Sequence, residues 1–257
     1  EKCEQFPIRF IIEFYINHGL LLIKGRPTGR TIPGGSIEYV KKITKPFHEQ
    51  IRLNTPVEAV IRNAESVTVA ADGDAEVFDE VIFACHSDQA LRLLSNPEPV
   101  EQDLLSRFPY SDNIALLHTD ESVLPQRKRA WASWNYRVRD EQQTRPSVTY
   151  NMNILQHIES QHTFCVTLNE EDKIDRLKVL GEYHYSHPVF TVERNRAQAR
   201  HGEVIRNRRT SFCGAYWGNG FHEDGVNSAL KVCRAFGVLP PWQLPETSRQ
   251  PSSELGV

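Results

Sequence analysis

The sequence predicts a mixed α/β chain in which a parallel-sheet layer is interleaved with a largely antiparallel one. Three observations predict it. The run Val81 to Cys85 is nearly continuous in apolar residues, as in a strand covered on both faces. Between Asn113 and Leu168, four strand-like stretches follow one another with polar connections, the texture of an antiparallel sheet. From Thr210 to Phe236, a short strand runs through "GAYWGNGFHEDG" into a helix with apolar periodicity. With 257 residues, 39% of them hydrophobic, there is material for one large domain or two interleaved ones.

Taken in order, residues 7–17 read as a helix, with Pro7 in its first turn and Gly19 just past its end. "GRPTGRTIPGG" (25–35) is a loop by composition. Ser36 is placed to cap a second helix with Ile37, Val40, Ile43 (or Thr44) and Phe47 on one face. The period then shortens. "PVEAVIR", "SVTVAA" and "EVFDEVIFAC" read as three strand-forming runs, the last two divided by the turn signal "DGD". "SDQALRLLS" follows as a helix with Ser87 as its cap. "NIALLHTD", "RAWASWNYRV", "PSVTYNMNI" and "TFCVTLN" are the antiparallel strands, and a helix is expected near Glu193 to Arg200. The last helix carries Val226, Ala229, Leu230, Cys233 and Phe236 on one stripe. The polar stretch after Trp242 is expected to be disordered.

Composition narrows function. A formal net charge of −3 with scattered bases argues against a dedicated nucleic-acid surface, and "RNRRT" (206–210) reads as a solvated turn. Cys3, Cys85, Cys165, Cys213 and Cys233 form no C-x-x-C pair and fit free thiols in a reducing compartment, so a cytoplasmic location is expected. No apolar run reaches the ~18 residues of a membrane span. The chain starts at Glu1 and its one methionine is Met152, which suggests a fragment or a processed chain.

The segment from Gly214 to Phe236 carries the strongest chemical signal. Glycines let a ligand approach the backbone, and a helix N-terminus offers N–H groups and partial positive charge. Glu223 and Asp224 suit a sugar hydroxyl, or a simple helix cap, better than a phosphate. Cys85 and His86 are adjacent on a strand and point to opposite faces, so they make a poor nucleophile–base pair. His184 and His187 fall on opposite faces of a strand for the same reason, and with His222 they make a weak metal set. In "AWASWNY", Ala130, Ala132, Trp134 and Tyr136 share one strand face, either as core or as a wall for a flat or apolar substrate.

"IPGGSIEYVKKI", then "IRLNTPVEAVIRNAESVTVAADGDAEVFDEVIFACHSDQAL", then "RTSFCGAYWGNGFHEDGVNSAL" resemble, in that order, the flavin amine oxidase superfamily. "NHGLL", "LHTDESVLP", "AWASWNY", "VTLN" and "GFHEDG" look like a bacterial subfamily of it. The resemblance covers about residues 6–242. It implies an incomplete FAD/NAD(P)-binding Rossmann-like domain interleaved with a substrate domain built on a largely antiparallel sheet. Residues 1–23 and 99–203 would form the substrate domain, 24–98 and 204–242 the FAD-binding domain, and 243–257 a tail. No G-x-G-x-x-G occurs, so the sequence enters the superfamily pattern midway, as its C-terminal portion.

The resemblance further implies non-covalent FAD as cofactor and a small-molecule amine or lipid as substrate. Val57 would lie at the adenine end, and Ala84 at a strand end near the cofactor. Gly214 and Ala215 would border the ribityl and pyrophosphate part. Gly220, Phe221, Glu223, Asp224, Gly225 and Val226 would line the flavin edge. Tyr216 and Trp217 would be the catalytic, ring-bordering aromatics. The alternative is a non-catalytic fragment of such a flavoprotein that cannot hold FAD alone.

Overall fold

The computed structural model describes residues 8–17, 19–25, 30–137, 147–240 and 243. In chain order the helices and strands are α1 (Ile8–Asn17), α2 (Ile37–Thr44), β1 (Val57–Arg62), β2 (Val67–Ala71), β3 (Asp74–Phe78), β4 (Val81–Phe83), α3 (Ser87–Leu93) and α4 (Pro99–Leu105). Then come β5 (Tyr110–His118), β6 (Trp134–Tyr136), β7 (Val148–Asn151), α5 (Met152–Gln156), β8 (Cys165–Leu168), β9 (Val179–Pro188), α6 (Val192–Ala199), β10 (Thr210–Phe212) and α7 (His222–Ala235). Pro7, Cys3 and nearly all of the polar tail lie outside the described residues.

Contacts divide the chain into two interleaved units, residues 1–53 with 110–189, and residues 54–109 with 190–257. The sequence-based boundaries at 98/99 and 203/204 would put α4 and α6 in the other unit. Their side chains explain where they sit: Glu101 of α4 bonds Arg62 of β1, and Gln198 of α6 bonds the turn after β10.

The first unit is built on a five-stranded antiparallel sheet in the order β6-β7-β8-β5-β9. Its longest pairing is β5 with β9, from Tyr110 opposite Pro188 to His118 opposite Val179, with a bulge between Leu117 and His118. Leu116, Val123 and Ile174 form a buried apolar cluster flanked by Ile114 and Val179. A polar row is buried alongside: His118 Nε2 lies 2.8 Å from Thr167 Oγ1, which lies 2.9 Å from Thr149 Oγ1. His118 Nδ1 accepts the Asp120 N–H at 3.0 Å, which fixes the neutral tautomer with the proton on Nε2.

The second unit holds a three-stranded antiparallel sheet, β1-β2-β3, and a two-stranded parallel sheet in which β4 pairs with β10. The ring of Phe83 stacks on that of Phe212 at 5.1 Å between the parallel strands. Arg62, fully buried, joins three elements. It gives two hydrogen bonds to Glu101, at 2.5 and 2.8 Å, one to Thr210 Oγ1 at 2.9 Å and one to the Asn96 carbonyl at 2.5 Å.

Several expectations are corrected. The third strand-forming run breaks at Asp79–Glu80 into β3 and β4, because β3 turns back on β2 while β4 runs parallel to β10. β4 is not covered on both faces: Ile82 is 47% exposed, and β10 is the one strand paired with β4 among the described residues. Ser36 makes no side-chain cap to α2, and Ser87 is the first residue of α3 rather than its cap. The α3 cap position is His86, whose N–H donates to Gln89 Oε1 at 3.2 Å. Lys128–Ala130 is a turn of 3-10 helix, which leaves Trp134–Tyr136 as the strand. α4 was not anticipated as an element, and β9 is longer than the stretch around His184 and His187 that was read on a strand. In α4 the available signal was Pro99 at the first helical position, with Glu101 accepting the Glu98 N–H.

The "RNRRT" segment is a turn with Arg206 and Arg208 exposed, and it also works as a latch. Arg206, Arg208 and Arg209 all have positive φ, of 54°, 46° and 66°. Arg206 bonds Glu80 at 2.7 Å and stacks over Phe236, Arg208 bonds Glu98, and Arg209 donates to the Ala64 and Asp79 carbonyls. Side-chain anchoring at both ends sustains a backbone conformation that non-glycine residues adopt at a cost.

Candidate functional site: the glycine turn between β10 and α7

The C-terminal ends of β4 and β10 lie side by side, because Phe83 pairs with Phe212 and the Cys213 N–H donates to the Phe83 carbonyl at 2.8 Å. Exposed Ala84 and the start of the glycine turn therefore share one end of a parallel pair. Ligands of open α/β sheets bind at such ends.

Sterics dictate the turn's glycines. A Cβ on Gly214 would lie 2.5 Å from Tyr216 Cε1, and one on Gly218 would lie 2.5 Å from Asp224 Cγ. Gly220 has φ +88°, and a Cβ there would meet only Phe190 Cζ, at 4.0 Å. The backbone at Gly220 is thus open to an approaching group, whereas Gly214 and Gly218 serve the turn's own packing.

Hydrogen bonds lock this shape. Ser228 Oγ accepts the Gly214 N–H at 2.9 Å and donates to the Gly225 carbonyl at 2.8 Å, tying α7 to the turn. Gln198 Nε2 donates to the Tyr216 carbonyl at 2.8 Å and to the Gly218 carbonyl at 2.6 Å. Buried Arg194 donates to that same Gly218 carbonyl while its guanidinium lies 4.1 Å above the Phe190 ring. Sequence reasoning missed Arg194 and Gln198; their spacing of four on α6, which puts them on one helix face, was the available signal.

Asp224 accepts the Phe221 N–H at 2.9 Å, so it acts as the α7 cap. Glu223 stays exposed beside it, with Gly220, Phe221 and Val226, while Ala215, Asp224 and Gly225 are half-buried. Exposed Val226 departs from the expected stripe; α7 buries Ser228 and Val232 instead. Val57 lies apart from this turn in sheet terms, opposite Ala71 at the irregular start of the β1–β2 pairing.

Tyr216 and Trp217 lie inside the unit rather than on an open wall. Phe108 meets both edge-on at 4.9 and 5.0 Å, and His201 stacks on Trp217 at 4.0 Å. His201 Nε2–H donates to the Phe212 carbonyl at 2.7 Å, and burial pushes its pKa down to about 4. The Trp217 Nε1–H is buried with no hydrogen-bond partner among the described residues. Burial pushes the Cys85 and Cys213 thiols up, which suits inert thiols rather than nucleophiles.

His184 pairs opposite Ile114 and His187 opposite Ser111, which puts them on opposite faces of β9, and His222 begins α7 in the other unit. Among the described residues, no group of three or more His, Cys, Asp or Glu is placed to hold a metal. None of the described helices is long and apolar enough to cross a membrane.

The five-stranded sheet presents a second feature. Register places Trp134, Tyr150, Val166, Leu117, Tyr183 and Tyr185 on one face, opposite the buried His118–Thr167–Thr149 row. Trp134 meets Tyr150 edge-on at 5.6 Å, and Tyr183 stacks near Tyr185 at 6.3 Å. Trp134, Tyr183 and Tyr185 stay exposed, so this face is an aromatic wall.

No protein-family model matches the chain, and no curated protein matches it. Solved structures do. A fatty acid isomerase from P. acnes is 12% identical with a TM-score of 0.54, over 72% of this chain and 48% of its own. Cyclohexylamine oxidase from Brevibacterium oxydans is 10% identical with a TM-score of 0.53, over 78% of this chain and 52% of its own. Wild-type putrescine oxidase bound to putrescine is 14% identical with a TM-score of 0.54, over 79% of this chain and 53% of its own. The chain spans about half the length of each, and what it shares with these enzymes is their fold.

Proposed function

We propose that the chain is part of an FAD-dependent oxidoreductase of amine-oxidase type, with an amine or lipid-like small molecule as substrate. The observation that carries this reading is the glycine turn at the shared end of β4 and β10, leading into the N-terminus of α7. The site fits a flavin on three counts. Gly220 leaves open space at the turn, exposed Glu223 can accept from a sugar hydroxyl, and the α7 N-terminus favours negative charge on a reduced ring. When bound, the flavin supplies the hydride acceptor; the protein supplies binding, orientation and electrostatics. Ala84, Gly214, Ala215, Gly220, Phe221, Glu223, Gly225 and Val226 are the residues assigned to line it, with Val57 toward the adenine end and Asp224 shaping the helix start. Tyr216 and Trp217, being buried, are assigned to positioning the turn.

A visible absorbance spectrum of the purified chain, taken after adding FAD and desalting, tests this. Retained flavin absorbance that Glu223→Ala weakens about tenfold, at unchanged melting temperature, supports the assignment, since a hydrogen bond to a charged group is worth about 1.5–3 kcal/mol. A second reading, an incomplete flavoprotein that cannot hold FAD alone, is favoured by exposed Ile82 on the two-stranded parallel sheet. Complete loss of flavin on desalting would establish it.

A further inference from the structure

α2 buries none of its residues, although its sequence divides sharply into two faces. Ile37, Val40 and Ile43 form an apolar stripe with exposures of 53, 40 and 62%, and Phe47, 46% exposed, follows where the backbone leaves helical geometry. Lys41, Lys42 and Lys45 lie around the other face, with Glu38 paired to Lys41 at 3.1 Å. The surrounding sequence has the same bias. Residues 24–52 contain seven Lys or Arg and two Glu, a net +5, in a chain whose total is −3.

We propose that α2 is an in-plane docking helix for an anionic lipid surface. A short helix with an uncovered apolar stripe and a lysine-rich polar face lies in the headgroup region, with its stripe among the acyl chains and its lysines at the phosphates. The charge of the segment selects this occupant. An apolar protein partner would account for the stripe but not for Lys41, Lys42 and Lys45 beside it, whereas an anionic bilayer uses both. Leu20, Leu21, Leu22 and Ile23, also exposed in this unit, extend the apolar surface available for insertion. This inference is independent of the flavin reading.

The test is flotation of the full chain with vesicles of pure phosphatidylcholine and of phosphatidylcholine containing phosphatidylglycerol. Binding to the anionic vesicles alone is expected, weakening as salt is raised. Lys41→Gln with Lys42→Gln should reduce partitioning about 30-fold, at about a factor of five per lysine. Val40→Asp with Ile43→Asp should abolish it. All four positions are solvent-exposed or half-buried, so circular dichroism should match the parent chain. Equal binding to neutral vesicles, no binding to either, or full binding by either double variant would overturn the proposal. So would a concentration-dependent dimer in light scattering that Val40→Asp with Ile43→Asp dissociates while vesicle binding is absent; the stripe would then be a contact between copies.

Discussion

The guanidinium of Arg62 and the carboxylate of Glu101 meet through two hydrogen bonds at 2.5 and 2.8 Å, with neither side chain open to solvent. A buried pair of this kind contributes less by existing than it costs to break, because removing one partner strands the other charge in a poor solvent for it. Glu101→Ala should therefore destabilise the protein by about 3–5 kcal/mol. The double change Arg62→Met with Glu101→Leu should cost much less. Urea midpoints of the three proteins check the expectation, and equal losses in the single and double variants would contradict it.

Gly218 and Gly214 should not tolerate a methyl group. In each case the added Cβ would meet a packed neighbour at 2.5 Å, Asp224 at the first and Tyr216 at the second. Overpacking of this sort costs about 1–3 kcal/mol. Gly202→Ala is the control, because nothing lies within 4 Å of its added Cβ and its φ is ordinary. Thermal melts should show the first two variants lowered and the third within about 0.5 kcal/mol of the parent.

Acid should destabilise the second unit through His201. Its pKa falls from an ordinary 6.5 to about 4, so between these values the unfolded chain binds the extra proton and the folded chain does not. Stability from this group is complete above pH 6.5, declines as pH falls, and is gone below about pH 4, a change of about 3 kcal/mol. His118, also lowered by burial, acts with the same sign in the first unit. Denaturant midpoints measured between pH 7 and pH 4 should flatten in His201→Gln. An unchanged slope would remove the assignment.

Asp120 predicts a separate and lower transition. Burial works to raise its pKa, but hydrogen bonds from the Asp175 and Ser122 N–H groups and from Lys178 outweigh burial and hold it at about 2. Its folded pKa lies below the ordinary 3.8, so its contribution is present above pH 3.8 and lost as pH falls toward 2. Asp120→Asn should remove that low-pH limb and leave the limb between pH 6.5 and 4 in place.

Local pattern carried much of the fold, and long-range partners carried the rest. Helix-end residues located α1, apolar periodicity located α2 and α7, and strand-like runs with polar connections located most of the antiparallel sheet, because each is written within a window of a few residues. The glycine turn was legible for the same reason. Glu101 as partner of Arg62, 39 positions away, was not, and neither was Thr210, 148 positions away. The arginines of 206–209 were legible as a solvated turn but not as a latch, because Glu80 and Glu98 lie far away in sequence. Ile82 shows the converse: its apolar run correctly marked a strand, but exposure depends on what packs over that face, which the run does not encode.

The pairing of Val81 with Thr210 spans 129 positions, and an entire antiparallel sheet is threaded between the two strands. On the ribosome, β4 must wait for β10. At about 5–20 residues per second, that wait is roughly 6–26 s. The first unit's sheet, whose strands all lie between Tyr110 and Pro188, can assemble during the delay. The order of synthesis thus favours a nascent chain whose inserted unit matures first. The unit around it, with Phe83 and its neighbours uncovered, closes last and is the part most in need of chaperone cover.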